Sequence, residues 1–208
     1  VFEAAIKSNA KLVCVATDSS EILEECNSFN GRAVLTSLDH KTGSDRLAEA
    51  SSILSLADDD VVVNLQGDEP FVDFSDINNI ADLLKDKTVD MATLYTDLKV
   101  EDVKNPNVVK IWTHKNGQVI DFSRNENKVS DAKCTRSQHL GIYAYRVKFL
   151  KEFINWKQTD NEKIESLEQL RALERGQNIY AKKSIAKIHL GIDTPEDLYL
   201  AQKLLEND

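Results

Sequence analysis

Strand-like and helix-like segments take turns along the first ninety residues, and this alternation constrains the fold more than any other feature of the chain. "KLVCVAT" (11–17), "RAVLTS" (32–37) and "DVVVNLQ" (60–66) are rich in β-branched and apolar residues, as strands are. Apolar side chains recur at helical spacing in the segments around them. The opening "VFEAAIKSNA" carries Phe2, Ala5 and Ile6, and "GSDRLAEASSIL" (43–54) carries Leu47, Ala50 and Leu54. "SSEILEECNSF" (19–29) has Ser19 or Ser20 to cap an acidic first turn, and "SDINNIADLLKD" (75–86) begins with a cap and continues through Ile77, Ile80, Leu83 and Leu84. Such a pattern predicts β-α-β units and a largely parallel sheet covered on both faces.

The middle of the chain changes character. "VDMATLYTDL" (89–98), "NVVKIWTHKNGQVIDFS" (107–123) and "HLGIYAYRVKFL" (139–150) are strand-like. Asn116-Gly117 is a tight-turn signal and predicts a hairpin over 108–123. "RNENKVSDAKCTRSQ" (124–138) is polar and aperiodic and predicts an exposed loop. "EKIESLEQLRALERG" (162–176) predicts one helix closed by Gly176, with Ile164, Leu167 and Leu170 facing the core. A short strand near 179–189 and a final helix, "TPEDLYLAQKLLE" (194–206), complete the series. The whole reads as one domain over residues 1–208, with a β-rich extension around 105–150.

Composition narrows the function. A net charge of −9 leaves no basic footprint for nucleic acid. No apolar run approaches the roughly 20 residues of a membrane span, and the amino-terminal residues lack a signal-peptide core. Three cysteines without a C-x-x-C spacing argue against a disulfide framework or a zinc site and point to a reducing cytoplasm.

Two acidic spots stand at places where α/β sheets bind ligands, beyond the carboxyl ends of strands. In "VVVNLQGDEP" (61–70) Gly67 permits a turn, Pro70 stops the ladder, and Asp68 follows the strand. In "GIDTPEDL" (191–198) Thr194 is the expected cap, Pro195 suits the first helical position, and Glu196 and Asp197 favour the first turn. Asp193 is then left without a capping task. Each aspartate has an ordinary reading as a polar turn residue. Taken together they form a candidate magnesium pair, each giving one oxygen and leaving positions for water and phosphate.

These stretches, with "VATD" (15–18), "DHKTGSDRLAEA" (39–50), "MATL" (91–94), "NPNVVKI" (105–111), "FSR" (122–124), "HLGIYAYR" (139–146) and "ESLEQLRAL" (165–173), resemble the 3-deoxy-manno-octulosonate (Kdo) cytidylyltransferases in order over nearly the whole chain. The resemblance implies an α/β, nucleotide-diphosphosugar transferase-like three-layer fold with a mixed, mostly parallel central sheet. It implies a cytoplasmic homodimer that joins CTP to Kdo, giving CMP-Kdo and pyrophosphate for lipopolysaccharide biosynthesis, with Mg2+ as cofactor. By motif position, Asp68 and Asp193 resemble the catalytic metal ligands. His40, Thr42, Gly43, Ser44 and Arg46 resemble the nucleotide-binding segment. Gln66, Arg124, His139, Tyr143, Glu168 and Gln169 resemble the sugar-acid pocket.

Members of the family open with a strand and a basic nucleotide loop. The chain starts at Val1 in a helix-like segment, so the expectation is a sheet missing its first strand and a chain whose own turnover is in question. Two other readings stay open: a cytidylyltransferase for another 2-keto sugar acid, such as a sialic acid, and a non-catalytic remnant of the fold.

Overall fold

Helix starts in this protein are written locally. Ser19, Thr42 and Asp73 each stand in extended backbone and accept a hydrogen bond from an amide of the first turn that follows. In the computed structural model, which describes residues 1–126, 129, 134–192 and 194–206, the chain runs α1 (Phe2–Lys7), β1 (Val15–Thr17), α2 (Ser20–Ser28), β2 (Ala33–Leu35), α3 (Gly43–Ile53), β3 (Val61–Asn64), α4 (Phe74–Leu83), β4 (Met91–Thr96), β5 (Lys110–Thr113), β6 (Val119–Ser123), β7 (Thr135–Arg146), α5 (Val147–Phe153), α6 (Asp160–Glu165), α7 (Gln169–Glu174), β8 (Ile179–Lys183) and α8 (Pro195–Glu206).

The long strand β7 organises the main sheet, whose order is β6-β5-β7-β4-β8 with β3 also paired to β7. One edge of β7 carries β4. The other carries β5 against residues 135–138 and β3 against residues 143–146. β1 and β2 pair in parallel as a separate two-stranded sheet. The mixed character expected from the sequence is present, but the preponderance of parallel pairs is not. Among the described residues β3·β7, β4·β7, β5·β6 and β5·β7 are antiparallel, and only β1·β2 and β4·β8 are parallel. The cause is topological. β3 and β4 do run the same way, but α4 carries the chain one strand position too far, and β7 fills the gap from the opposite direction.

Alternation along the strands sorts side chains onto two faces, giving three layers. Met91, Tyr145, Ile179 and Ala181 face a core shared with Ala48 of α3, Phe149, Leu150 and Phe153 of α5, and Leu167 and Leu170 at α7. Ala92, Leu94, Ile142 and Ala144 face Ile80 and Leu84 on and just after α4. Each fully buried Leu, Ile or Phe here contributes about 1.5–3 kcal/mol by leaving water.

One local expectation holds and three change. The hairpin over 108–123 forms, and Gly117 has φ +88° with its α-carbon so close to Ala181 that a Cβ would lie 2.8 Å from the Ala181 carbonyl oxygen. The helix expected over 162–176 is two helices, because Ser166 adopts the left-handed conformation (φ 52°). That break turns Ile164 outward, 79% exposed, while Leu167 and Leu170 stay buried. The strand-like "VKFL" is the start of α5, in which Val147, Phe149 and Leu150 all remain buried. The cap of α4 is Asp73, two residues earlier than expected.

Candidate active site

Three elements meet at the head of α3. Thr42 starts the helix by accepting from the Asp45 amide (3.2 Å) and donating its hydroxyl to Asp45 Oδ2 (3.0 Å). Gly43 lies under the outgoing end of β3: a Cβ there would stand 3.2 Å from Gln66 Nε2 and 3.7 Å from Asn64 Nδ2. Ser44, 2% exposed, donates its hydroxyl to Glu168 Oε2 at 2.8 Å. Glu168 is the residue that starts α7. The break at Ser166 is what points α7, and so Glu168, toward α3.

Charge at this corner is finely set. Burial pushes the Glu168 carboxyl above the usual carboxylate range, opposed by the Ser44 and Thr42 hydroxyls and by the Arg171 guanidinium, while Asp45 raises it further. Burial likewise raises the Tyr143 and Tyr145 phenols, with the Glu168 charge adding to both and hydrogen bonds with Ser44 and Asn64 opposing at Tyr145. Both tyrosines therefore stay protonated donors at neutral pH.

The other residues expected to line the nucleotide hold the framework. His40 Nε2 sits 2.5 Å from Glu49 Oε2, which also accepts the Ser37 amide (2.8 Å) and so draws loop 37–41 onto α3. The Ser37 amide first, and His40 second, lower the Glu49 carboxyl. Arg46 donates to Thr36 Oγ1 and to Asp18 Oδ2, both at 2.6 Å, tying the ends of β1 and β2 to α3. That hydrogen bond is the main cause of the lowered Asp18 carboxyl. A cleft of about 450 Å³ opens beside this corner along Asp45, Ala48, Glu49 and Ser52 of α3, facing Lys151 and Ile154. It touches His40 but not Gln66 or Glu168, so this cleft and the convergence of polar groups are neighbours and not one place.

At the acidic turn Asp68 is exposed, and its backbone carbonyl accepts the Ile192 amide at 2.8 Å. Gly191 packs there too, within reach of Glu69 Oε1. The segment before residue 193 thus runs against the Asp68 turn. Asp193 itself lies outside the described residues. The approach is fixed by Asp76, a buried acid on α4 that accepts from Ser184 and from the amides of Ile185 (3.0 Å) and Ala186 (3.3 Å). Among the described residues no three His, Cys, Asp or Glu side chains are grouped to hold a metal.

The remaining residues expected in the sugar-acid pocket are largely enclosed or engaged within the fold. Arg124 Nε donates to the Glu165 carbonyl (2.8 Å) and one terminal nitrogen to the Pro106 carbonyl (3.1 Å). Glu165 also accepts from Ser123 Oγ (2.7 Å) and the Arg124 amide (2.8 Å). His139 is 9% exposed, sits 3.0 Å from Thr93 Oγ1, and is held neutral by burial, its pKa lowered to about 3. Its ring packs at 5.5 Å from Tyr143, which stacks in turn near Tyr145. Gln169 is buried at the start of α7. Asn64, Tyr145, Glu165, Asp76 and Arg171 went unread in the sequence. Of these, Asn64 carries a local signal, an amide ending a run of three valines, and Arg171 one turn after Glu168 carries a weaker one.

A cytidylyltransferase family model matches residues 1–205. A 3-deoxy-manno-octulosonate cytidylyltransferase of Actinobacillus pleuropneumoniae serotype 5b is 41% identical over 219 residues, covering 100% of this chain and 87% of its own length. One from Pseudomonas fluorescens is 42% identical, covering 99% and 86%. Among solved structures, a CMP:2-keto-3-deoxy-manno-octonic acid synthetase complexed with CTP superposes with a TM-score of 0.90 at 31% identity, over 99% of this chain and 86% of that one.

Proposed function

Since the chain belongs to the cytidylyltransferase family, we propose that it transfers the cytidylyl group of CTP to Kdo, giving CMP-Kdo and pyrophosphate. The observation that carries this reading is the corner at the head of α3, where Gln66 closes over Gly43 and Ser44 reaches Glu168. It joins the segment assigned to the nucleotide to the segment assigned to the sugar acid.

The chemistry is attack of the anomeric hydroxyl of Kdo on the α-phosphorus, in line with the departing pyrophosphate. Positioning and charge stabilisation supply the rate in such a transfer. In this reading Gly43 lets the nucleotide approach the start of α3, where the Gly43 and Ser44 amides, ahead of the capped Asp45 amide, favour phosphate. Gln66, Glu168, Gln169 and Tyr143 hold the sugar hydroxyls. Arg124 keeps N–H groups beyond the two it gives to carbonyls, and these suit the sugar carboxylate. His139, neutral and bound to Thr93, sets the position of Tyr143.

The residues at the acidic turn fit a magnesium ion. Asp68 presents an exposed carboxylate with no hydrogen bond or ion pair among the described residues, a hard oxygen donor of the kind Mg2+ takes. Asp68 and Asp193 would hold the ion, which when bound neutralises phosphate charge and lowers the pKa of the attacking hydroxyl. A cytoplasmic homodimer belongs to the same proposal. Among the described residues no disulfide joins Cys14, Cys26 or Cys134, in keeping with a reducing compartment, and no helix is long and apolar enough to cross a membrane.

The test is pyrophosphate release by the intact protein with CTP, Mg2+ and a panel of 2-keto sugar acids, with the nucleotide sugar identified by mass. CMP-Kdo as the main product is expected. Preferential use of a sialic acid, or no product with any acid, overturns the reading.

A further inference from the structure

We propose that Arg171 is a positioning residue for the transfer: it holds Glu168 in place for the sugar acid, and Glu162 holds Arg171. The inference rests on the assignment of Glu168 to the sugar side of the site, and it concerns a residue that the sequence motifs left without a role.

The geometry is a relay across two short helices. Arg171 and Glu162 are almost fully enclosed, with side chains 6% and 4% exposed. They form a two-pronged pair, Nε to Oε2 at 2.9 Å and a terminal nitrogen to Oε1 at 2.5 Å. The guanidinium lies over the Phe153 ring, 4.6 Å from its centroid. Glu162 is further fixed from its own helix. It closes a reciprocal cap with Thr159 and accepts from Gln158. A fork held on one side by a carboxylate and on one face by an aromatic ring has little freedom left. Its same terminal nitrogen reaches Glu168 Oε1 at 3.5 Å.

Glu168 is otherwise lightly held. Ser44 gives one hydrogen bond to Oε2, and the side chain is 30% exposed. Removing the Arg171 charge leaves a half-buried carboxyl facing Asp45 on α3, Glu162 on α6 and the Tyr143 and Tyr145 phenols on β7, with only hydroxyls to oppose protonation. Arg171 therefore does two things through Glu168. It keeps the carboxylate turned toward α3, and it keeps it ionised, so that it accepts a hydrogen bond from a sugar hydroxyl.

A buried pair that loses one partner destabilises a fold, whereas replacing both partners by apolar side chains of similar volume is often tolerated. The test therefore uses R171K, R171Q, the double variant E162L/R171M, E168Q, and E168Q/R171Q, each checked for native circular dichroism. For R171Q and for E162L/R171M, the KM for Kdo is expected to rise at least about tenfold, with the KM for CTP within about twofold of wild type, as expected for loss of an interaction on one substrate only. The acid limb of kcat/KM for Kdo moves to higher pH in both, because Arg171 lowers the Glu168 carboxyl. R171K keeps the limb where it was, since the charge remains, and loses only part of the affinity. In the E168Q background, R171Q adds nothing further.

Folded variants with wild-type KM for Kdo and an unmoved acid limb would overturn the proposal, as would equal losses for both substrates or a full additional loss in E168Q/R171Q. Should R171Q fail to fold, E162L/R171M decides on the same readouts. A wild type that makes no CMP-Kdo overturns the functional reading and this inference with it. A working wild type whose Arg171 variants behave normally overturns the inference alone.

Discussion

Two regions of the molecule carry the residues assigned to substrate, and they treat polar side chains in opposite ways. At the head of α3, Gln66 and Gly43 are exposed, and Glu168 shares its carboxylate between the Ser44 and Thr42 hydroxyls and a more distant guanidinium. At the β5–β6–β7 end, His139 is closed in against Thr93 and Arg124 gives its Nε to the Glu165 carbonyl. Both sets look alike in sequence, as isolated polar residues at the ends of elements. What separates them is whether a partner within the fold has claimed the side chain first. The first region has capacity left for a ligand, and the second mainly shapes the wall behind it.

Substitutions on the two sides should therefore fail differently. Asp68→Asn, beside the first region, is expected to lower turnover by at least about a hundredfold through loss of metal-supplied charge stabilisation, with an unchanged melting temperature; near-normal pyrophosphate release by that variant would remove Asp68 from the chemistry. His139 should instead register in stability. Its folded pKa is lowered to about 3 from 6.5, so the unfolded chain takes up the proton first. The group costs nothing above pH 6.5, and stability falls by about 1.4 kcal/mol per unit as pH drops from 6.5 toward 3. Denaturant titrations of wild type and His139→Asn over pH 4–7 should differ in slope by that amount, and parallel curves would mean that His139 is protonated in the folded protein.

Smaller effects sharpen the contrast. Ser44→Ala removes a hydrogen bond to a charged acceptor, worth about 1.5–3 kcal/mol, and is expected to lower kcat/KM for Kdo by roughly tenfold or more. A loss confined to the KM for CTP would instead put Ser44 on the nucleotide. Lys183→Ala, at the exposed pair with Asp97, should change stability by less than about 1 kcal/mol and leave both substrates' constants alone. A larger shift there would mean that surface charge, and not internal partnering, governs this fold.

What the sequence made legible was local. Thr42 before Gly43, Ser19 before α2 and Asn116-Gly117 each act through the backbone of their near neighbours, and each does what its chemistry dictates. Asp68 and Gln66 could be placed because a strand ends just before them. The rest depends on contacts between residues far apart in the chain. Nothing in "ESLEQLRAL" announces that Ser166 breaks the helix. The break makes sense only once Glu165 is seen holding Ser123 and Arg124, and Glu168 reaching Ser44, 124 positions away. In the same way β7 slips between β3 and β4 because of its long pairing edges, which a strand-helix alternation does not reveal. Arg46 read as a cation for phosphate, and its partner Asp18 lies in another strand-to-helix turn.

The central claim is that the corner joining Gln66, Gly43, Ser44 and Glu168 is where both substrates sit, and not the cleft along α3 and α5. Amide hydrogen exchange with and without CTP, Kdo and Mg2+ tests it most directly. Slower exchange over residues 42–47, 64–69 and 165–171, with α5 unchanged, is the predicted result. Protection confined to α5 and the cleft-lining turns of α3, with residues 64–69 and 165–171 exchanging as before, would contradict it.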